Sequence, residues 1–222
     1  MLDPEQLPRS YVRHQGRLTA GQRRALEYCL PTFAAPPGPL DAITLFGEAR
    51  PLVVEVGCGD GGVLLELARN HPELGFLGIE VYRPGVGHLA MALAAEGLHH
   101  VRLATEDARQ VMARLAPASI DCLLTLFPDP WPKKRHHKRR LIEPDFVADV
   151  VSRLKPGGHW QLATDAADYA AAMRQVLGAH DALEATASLP RPMSKYQRRA
   201  LRLGQAVSEL AYRRVEPVSL PS

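Results

Sequence analysis

A chain of 222 residues, 46% hydrophobic and 23% charged, suits one α/β domain with a full core and a short extension, and has the composition of a water-soluble protein. No apolar run approaches the roughly 18 residues of a membrane span, the opening MLDPEQLPRSYVRHQ has no apolar secretory core, and three cysteines without CxxC spacing argue against a disulfide framework or a thiolate zinc site. The net charge of +3 hides three basic islands, at 1–30, 133–140 and 190–216, in an otherwise acidic body; a cytoplasmic protein with no metal, no membrane and a polyanionic partner is expected if folding gathers the islands on one face.

Prolines 31, 36, 37 and 39 mark a stiff connector and set an expected boundary between a basic N-terminal arm, 1–40, and a domain over 41–222. From Pro51 onward strand and helix patterns alternate. Apolar runs predict strands at 52–57, 76–81, 100–105, 120–127 and 159–164, covered on both faces. Helical spacing predicts helices at 63–71, 86–97 and 145–155, the last with Pro144 at its start and Gly157-Gly158 closing it. A further helix over 166–179 precedes LEATASLP (183–190) and AVSELAYRRV (206–215), two final strands able to pair antiparallel. The expected fold class is α/β, a doubly wound, mostly parallel sheet.

EVGCGDGG, Glu55 to Gly62, follows the first strand and opens the first helix. Gly57, Gly59 and Gly62 satisfy G-x-G-x-x-G, and Glu80 stands at the end of the second strand, as in dinucleotide sites. Charge separates the candidate ligands. A pyrophosphate wants bare N–H groups at a helix N-terminus, and carboxylates at Glu55 and Asp60 would repel it. S-adenosyl-L-methionine carries a sulfonium and an ammonium and no phosphate, so an acid-rich loop favours it. Asp107, after the third strand, can accept a hydrogen bond from an adenine amino group. A nicotinamide dinucleotide stays the rival ligand.

FPDPWPKKRHHKRR, Phe127 to Arg140, follows the fourth strand, at the sheet edge where open α/β folds bind ligands. Prolines 128, 130 and 132 stiffen the backbone around Asp129, Phe127 and Trp131 offer flat faces for a base, and Lys133 to Arg140 would meet phosphates. The plainer readings are a turn acid for Asp129, a helix N-cap for Asp165 and a solvated run for Lys133–Arg140.

These residues resemble the bacterial-type tRNA (guanine-N7-)-methyltransferase family. RSYVRHQGRLT, EVGCGDG, FLGIEVYRPGVG, FPDPWPKKRHHKRRL, Ala163-Thr164-Asp165 and SKYQRRALRLG match its blocks in order over nearly the whole chain. The resemblance implies a seven-stranded, class I, Rossmann-like, S-adenosylmethionine-dependent fold. It implies methylation at N7 of guanosine 46 in the tRNA variable loop. A monomer or homodimer that needs no second protein is expected. Carried over by position, Glu55, Gly57, Gly59, Glu80, Asp107 and Asp129 would bind the cofactor, and Asp129 would be catalytic. Lys133, Asp165, Ser194, Lys195, Tyr196 and Gln197 would contact substrate; Arg135, His136, His137, Lys138, Arg139 and Arg140 would contact RNA. The family reads Thr-Lys-Phe-Glu where this chain reads SKYQ, so Gln197 replaces an acid, and Ala200 replaces a Gly. An exocyclic-amine methyltransferase and a non-catalytic RNA-binding module remain as rival functions.

Overall fold

The computed structural model describes residues 16–216. Seven strands, β1 (Leu52–Val56), β2 (Gly75–Ile79), β3 (Val101–Ala104), β4 (Ile120–Leu126), β5 (Leu154–Thr164), β6 (Leu183–Ala185) and β7 (Ser208–Arg214), form one sheet in the order β3-β2-β1-β4-β5-β7-β6. The first five run parallel. β7 pairs antiparallel with β5 and with β6, so the expected final antiparallel pair is present. The strand order reverses between β2-β1 and β4, which opens a crevice at the carboxyl ends of these strands.

Period-two alternation sends each strand's side chains to two cores. Val54, Leu77, Leu123 and Trp160 face helices α6 (Ala108–Arg114), α7 (Pro144–Arg153) and α8 (Ala167–Gly178), meeting Met112, Phe146 and Tyr169. Val53, Phe76 and Leu124 face α4 (Gly62–Asn70) and α5 (Arg83–Glu96), meeting Leu64 and Leu89. All five residues of β1 are buried, as a strand covered on both faces requires. The same parity puts Glu55 on the α4–α5 side, with Val53.

Residues 16–40, the described part of the expected basic arm and Pro-rich connector, pack onto the domain. Short helices α1 (Ala20–Arg24) and α2 (Leu30–Phe33), joined by a π-helical turn at Ala25–Cys29 and followed by α3 (Ala42–Phe46), deliver Phe33 and then Leu40 into the two cores, where both are buried. Backbone bridges pair Ala34 with Leu103 and Leu40 with Leu115, so the prolines stiffen a packed strap. Residues 1–15, including most of RSYVRHQGRLT, lie outside the described residues.

Gly157-Gly158 does not close a helix. α7 ends at Arg153 and the chain passes directly into β5, where Gly157 has φ 79°. The register opposite shifts between Ile120 and Cys122. A Cβ on Gly158 would stand 3.0 Å from the Ile120 carbonyl oxygen, so the glycines form an irregularity inside the strand. Of the strand expected at 183–190 only Leu183–Ala185 forms, with Thr186 N–H donating one last bond to the Ala211 carbonyl at 2.9 Å.

Among the described residues no helix is long and apolar enough to cross a membrane, and no group of three His, Cys, Asp or Glu is placed to hold a metal ion.

The start of α5 is pressed against the loop after β1: a Cβ on Gly85 would lie 2.6 Å from the Gly59 carbonyl oxygen. That neighbour is backbone and can move only with its loop. Gly85→Ala should therefore cost about 1–3 kcal/mol, each kcal/mol lowering Tm by about 2–4 °C in a chain of this size, as read by a thermal melt.

Candidate active site

Three glycines with positive φ, Gly57 (75°), Gly59 (60°) and Gly61 (82°), curl the chain from β1 into α4. Non-glycine residues would be strained at each. The third glycine the turn requires is thus Gly61, where a Cβ would also fall 2.4 Å from Leu89 Cδ1. Gly62, assigned that place by spacing, is simply the first residue of α4. Glu80 braces the loop: Oε2 accepts from the Gly59 N–H at 2.8 Å and Oε1 from the Tyr82 N–H at 2.7 Å. Burial pushes its carboxyl up, against the pull of those N–H groups. Each oxygen keeps a second lone pair for a ligand. Cys58, between two of the glycines, is buried, and burial followed by Glu55 and Glu80 raises its thiol well above the ordinary value, so it stays a neutral thiol at ordinary pH.

Above this loop opens a cleft of about 830 Å³, with Gly57, Gly59, Glu80, Asp129, Lys195 and Tyr196 in its wall. Gly16 and Gln22 from the N-terminal strap also line it, as do Asp60 and His88; motif spacing gives no sign of Gly16, Gln22 or His88. Asp107 caps α6 by accepting the Arg109 N–H at 2.9 Å. Its neighbours Glu106 and Ala108 reach the cleft wall.

Glu55 is the anomaly. It is 4% exposed, and its Oε2 has no hydrogen-bond partner among the described residues. Burial pushes its carboxyl from 4.5 up to about 8; Arg191 opposes the rise, and Glu80 and Asp60 add to it. A buried acid of this kind is unfavourable unless a cationic or donor group answers it. Its chain neighbours Val56 and Gly57 line the cleft, so a cationic ligand bound there would supply that group. The site residues fit such a ligand.

The FPDPW loop is strained on both sides of its acid. Phe127 has φ 54° and Trp131 φ 45°, a region bulky L-residues adopt at a cost of about 1–3 kcal/mol each. Phe127 is tied down by its N–H to the Ala163 carbonyl at 2.7 Å. Its ring stacks on Tyr196, centroids 6.0 Å apart. Trp131 carries Arg139 over its face at 5.0 Å and the edge of His136 at 5.8 Å. Both rings therefore take part in holding the loop. Asp129 between them stands exposed at the cleft wall.

The basic run folds into a 3-10 helix, Lys134–Arg139. Lys133, Lys134, Arg135, Lys138 and Arg139 are exposed, and His136 and His137 half-buried. Arg140 departs from the expectation of RNA contact. It is 6% exposed, its Nε donates to the Pro130 carbonyl at 2.9 Å, it pairs with Asp168, and it lies 4.6 Å over the Tyr169 ring. Its cation is used inside the fold, bound to the residue that follows Asp129.

The SKYQ block divides in the same way. Ser194 caps α9 (Lys195–Arg202) by accepting the Gln197 N–H at 3.1 Å. Lys195 Nζ reaches Asp60 at 2.8 Å. Gln197 turns from the cleft: its Oε1 accepts from Arg191 at 3.1 Å and its Nε2 donates to Glu209 at 2.8 Å, while Arg191 also pairs with Glu209 at 2.9 Å. A Glu in this position would set a second carboxylate against Glu209; the amide answers both partners. Asp165 is exposed at the end of β5 and caps nothing, since Ala166 holds the cap position of α8. Lys133, Asp165, Ser194 and Gln197 do not line the cleft; Lys195 and Tyr196 do.

The sheet order and the acid-walled glycine turn define a Rossmann-like methyltransferase. Solved structures agree on the fold: a single-residue mutant of the 16S rRNA (adenine(1408)-N(1))-methyltransferase from Catenulisporales acidiphilia aligns with TM-score 0.57 at 18% identity, covering 85% of this chain and 98% of that one. An rRNA methylase from Streptococcus thermophilus aligns with TM-score 0.53 at 12% identity, covering 90% and 100%. The family model described as "Putative methyltransferase" matches residues 49–210. The chain is 49% identical to the tRNA (guanine-N(7)-)-methyltransferase of Alkalilimnicola ehrlichii, over 94% of this chain and 93% of that one. It is 45% identical to the protein of the same name from Halorhodospira halophila, over 96% and 97%. The chain belongs to the tRNA (guanine-N(7)-)-methyltransferase family.

Without ligand, Glu55 keeps a proton that the unfolded chain has shed, so stability should fall as pH rises from 4.5 to about 8, because the folded state binds the extra proton. Glu55→Gln should flatten that part of a Tm-against-pH curve. Arg140→Lys, which loses the two-sided guanidinium contact, should lower kcat about tenfold while leaving the salt dependence of RNA binding unchanged, in steady-state assays and titrations.

Proposed function

We propose that this chain is the tRNA (guanine(46)-N7)-methyltransferase of its cell, working in the cytoplasm on the variable loop with S-adenosyl-L-methionine as donor. The observation that carries this reading is the unanswered Oε2 of Glu55 at the base of an acid-walled cleft, because it calls for a cationic ligand rather than a phosphate-bearing one. The names of the relatives support tRNA and guanine N7, and the matching motif blocks support position 46.

When bound, the donor supplies an electrophilic methyl group on a sulfonium. Glu55 takes the ammonium end. Glu80, already oriented by Gly59 and Tyr82, offers its remaining lone pairs to ribose hydroxyls, and Asp107 offers its second oxygen to the adenine amino group. Guanine N7 attacks through an in-plane lone pair and needs no deprotonation, so positioning and electrostatics do the work. Asp129 accepts hydrogen bonds from the Watson–Crick edge and turns N7 inward. Asp165 joins it once the base is seated, with Lys133 and Ser194–Gln197 near the flanking nucleotide. As the ring takes on positive charge, the carboxylate of Asp129 stabilises it. The exposed cations from Lys133 to Arg139 hold phosphates, and the splayed bases of a loop are the usual RNA target.

Incubation with labelled donor and unmodified tRNA, followed by cleavage at 7-methylguanosine, should give scission at position 46. Label recovered on an exocyclic amine would sink the assignment. Asp129→Ala should lower kcat by about 10²-fold or more while tRNA retention in a filter assay stays near wild type.

A further inference from the structure

The outer face of α9 is not used by the fold. Ala200 points inward and is 1% exposed, whereas Leu201 and Leu203 are 53% and 62% exposed. With Met193, they make three of the nine large hydrophobics exposed among the described residues, all within eleven positions, while Tyr196 between them stacks on Phe127. Folding alone gives no reason for that concentration, which marks a contact surface. Between these side chains stand Arg198, Arg199 and Arg202.

A second hollow of about 470 Å³ lies here, lined by Lys195, Arg198, Leu201 and Arg202. The spacing i, i+3, i+7 aligns the three cations on one helix face, over about 10 Å of axis at 1.5 Å per residue. Lys195 lines both this hollow and the cleft beside Asp129, so the two meet at a shared rim. Lys195 is partly neutralised by Asp60. Arg198 donates to the Met193 carbonyl at 2.6 Å, which leaves its charge uncompensated. Neither Arg198 nor Arg202 pairs with a carboxylate among the described residues. Arg198 and Arg202, uncompensated and set beside Leu201, suit the phosphates and ribose of a nucleic-acid chain; the centre of a protein–protein patch is depleted in charged side chains.

We propose that the α9 groove holds the backbone of the substrate RNA next to the nucleotide in the cleft, with Arg198 and Arg202 on phosphates and Leu201 against a ribose. This rests on the reading of the enzyme as an RNA methyltransferase and adds a second cationic track to that of Lys133–Arg139.

The test compares full-length wild type with Arg198→Ala/Arg202→Ala, a change that keeps helix propensity. The KM for unmodified tRNA should rise roughly tenfold at low salt, with kcat at saturating tRNA and the calorimetric Kd for S-adenosyl-L-methionine unchanged. The slope of log affinity against log salt should become shallower by about 1.4–1.8, the loss of two phosphate contacts. Arg174→Ala, removing an exposed cation on α8, should alter neither quantity. Leu201→Asn should raise KM and leave the slope as it is. Should the double alanine variant melt early, the paired Arg→Gln changes carry the same comparison. An unaltered slope and KM in the folded double variant would overturn the proposal. Failure of wild type to methylate tRNA would instead strike the assigned function, so the two failures are distinguishable.

Discussion

A carboxyl group sealed at the end of a central strand, with one oxygen left without a partner, is a costly thing to build. Glu55 is such a group, and much of the surrounding architecture makes it tenable. β1 sits between β2 and β4, buried along its whole length, so the acid cannot reach water by a local shift. The glycine turn beside it takes a path only residues without Cβ follow cheaply, and the start of α5 presses on that turn through Gly85. Arg191, itself held by Gln197 and Glu209, is the cation that tempers its burial. The arrangement leaves a buried acid in want of a partner beside the cleft.

Arginines carry the supporting structure on both sides of the cleft. Arg140 gathers the Pro130 carbonyl, Asp168 and the face of Tyr169, fixing the far end of a loop strained at Phe127 and Trp131. Arg191 does the equivalent for the approach to α9. A planar fork that reaches two acceptors in fixed directions suits this part better than the single rotating ammonium of lysine. The cationic runs therefore do two jobs: most members face outward, and one in each region is drawn into the fold.

The sheet was legible in the chain because buried strands announce themselves by unbroken apolar runs, and the acids at their ends stand out against that background. Glu55, Glu80 and Asp129 thus stand out from the residues alone, although only geometry shows that an oxygen of Glu55 lacks a partner among the described residues. What sequence could not convey was contact between distant segments. Proline spacing made 31–39 look like a linker, but Phe33 and Leu40 find their places only against α5, β3 and α6. Gly62 matched a spacing rule, while the turn needs Gly61 because Leu89 lies against it. Gly157-Gly158 looked like a helix stop, and only the register opposite Ile120 reveals a strand irregularity. Arg140 differs from Arg139 solely in what lies beneath it.

The link from Arg191 to Glu209 through Gln197 has an evolutionary consequence. Position 197 lies in the first turn of α9 and position 209 in β7, yet they share one cation, so neither is free to vary alone. An acid at 197 would be tolerated where 209 is neutral, and an amide at 197 releases 209 to be acidic. Descendants of this chain would be expected to change the two together, as a correlated pair.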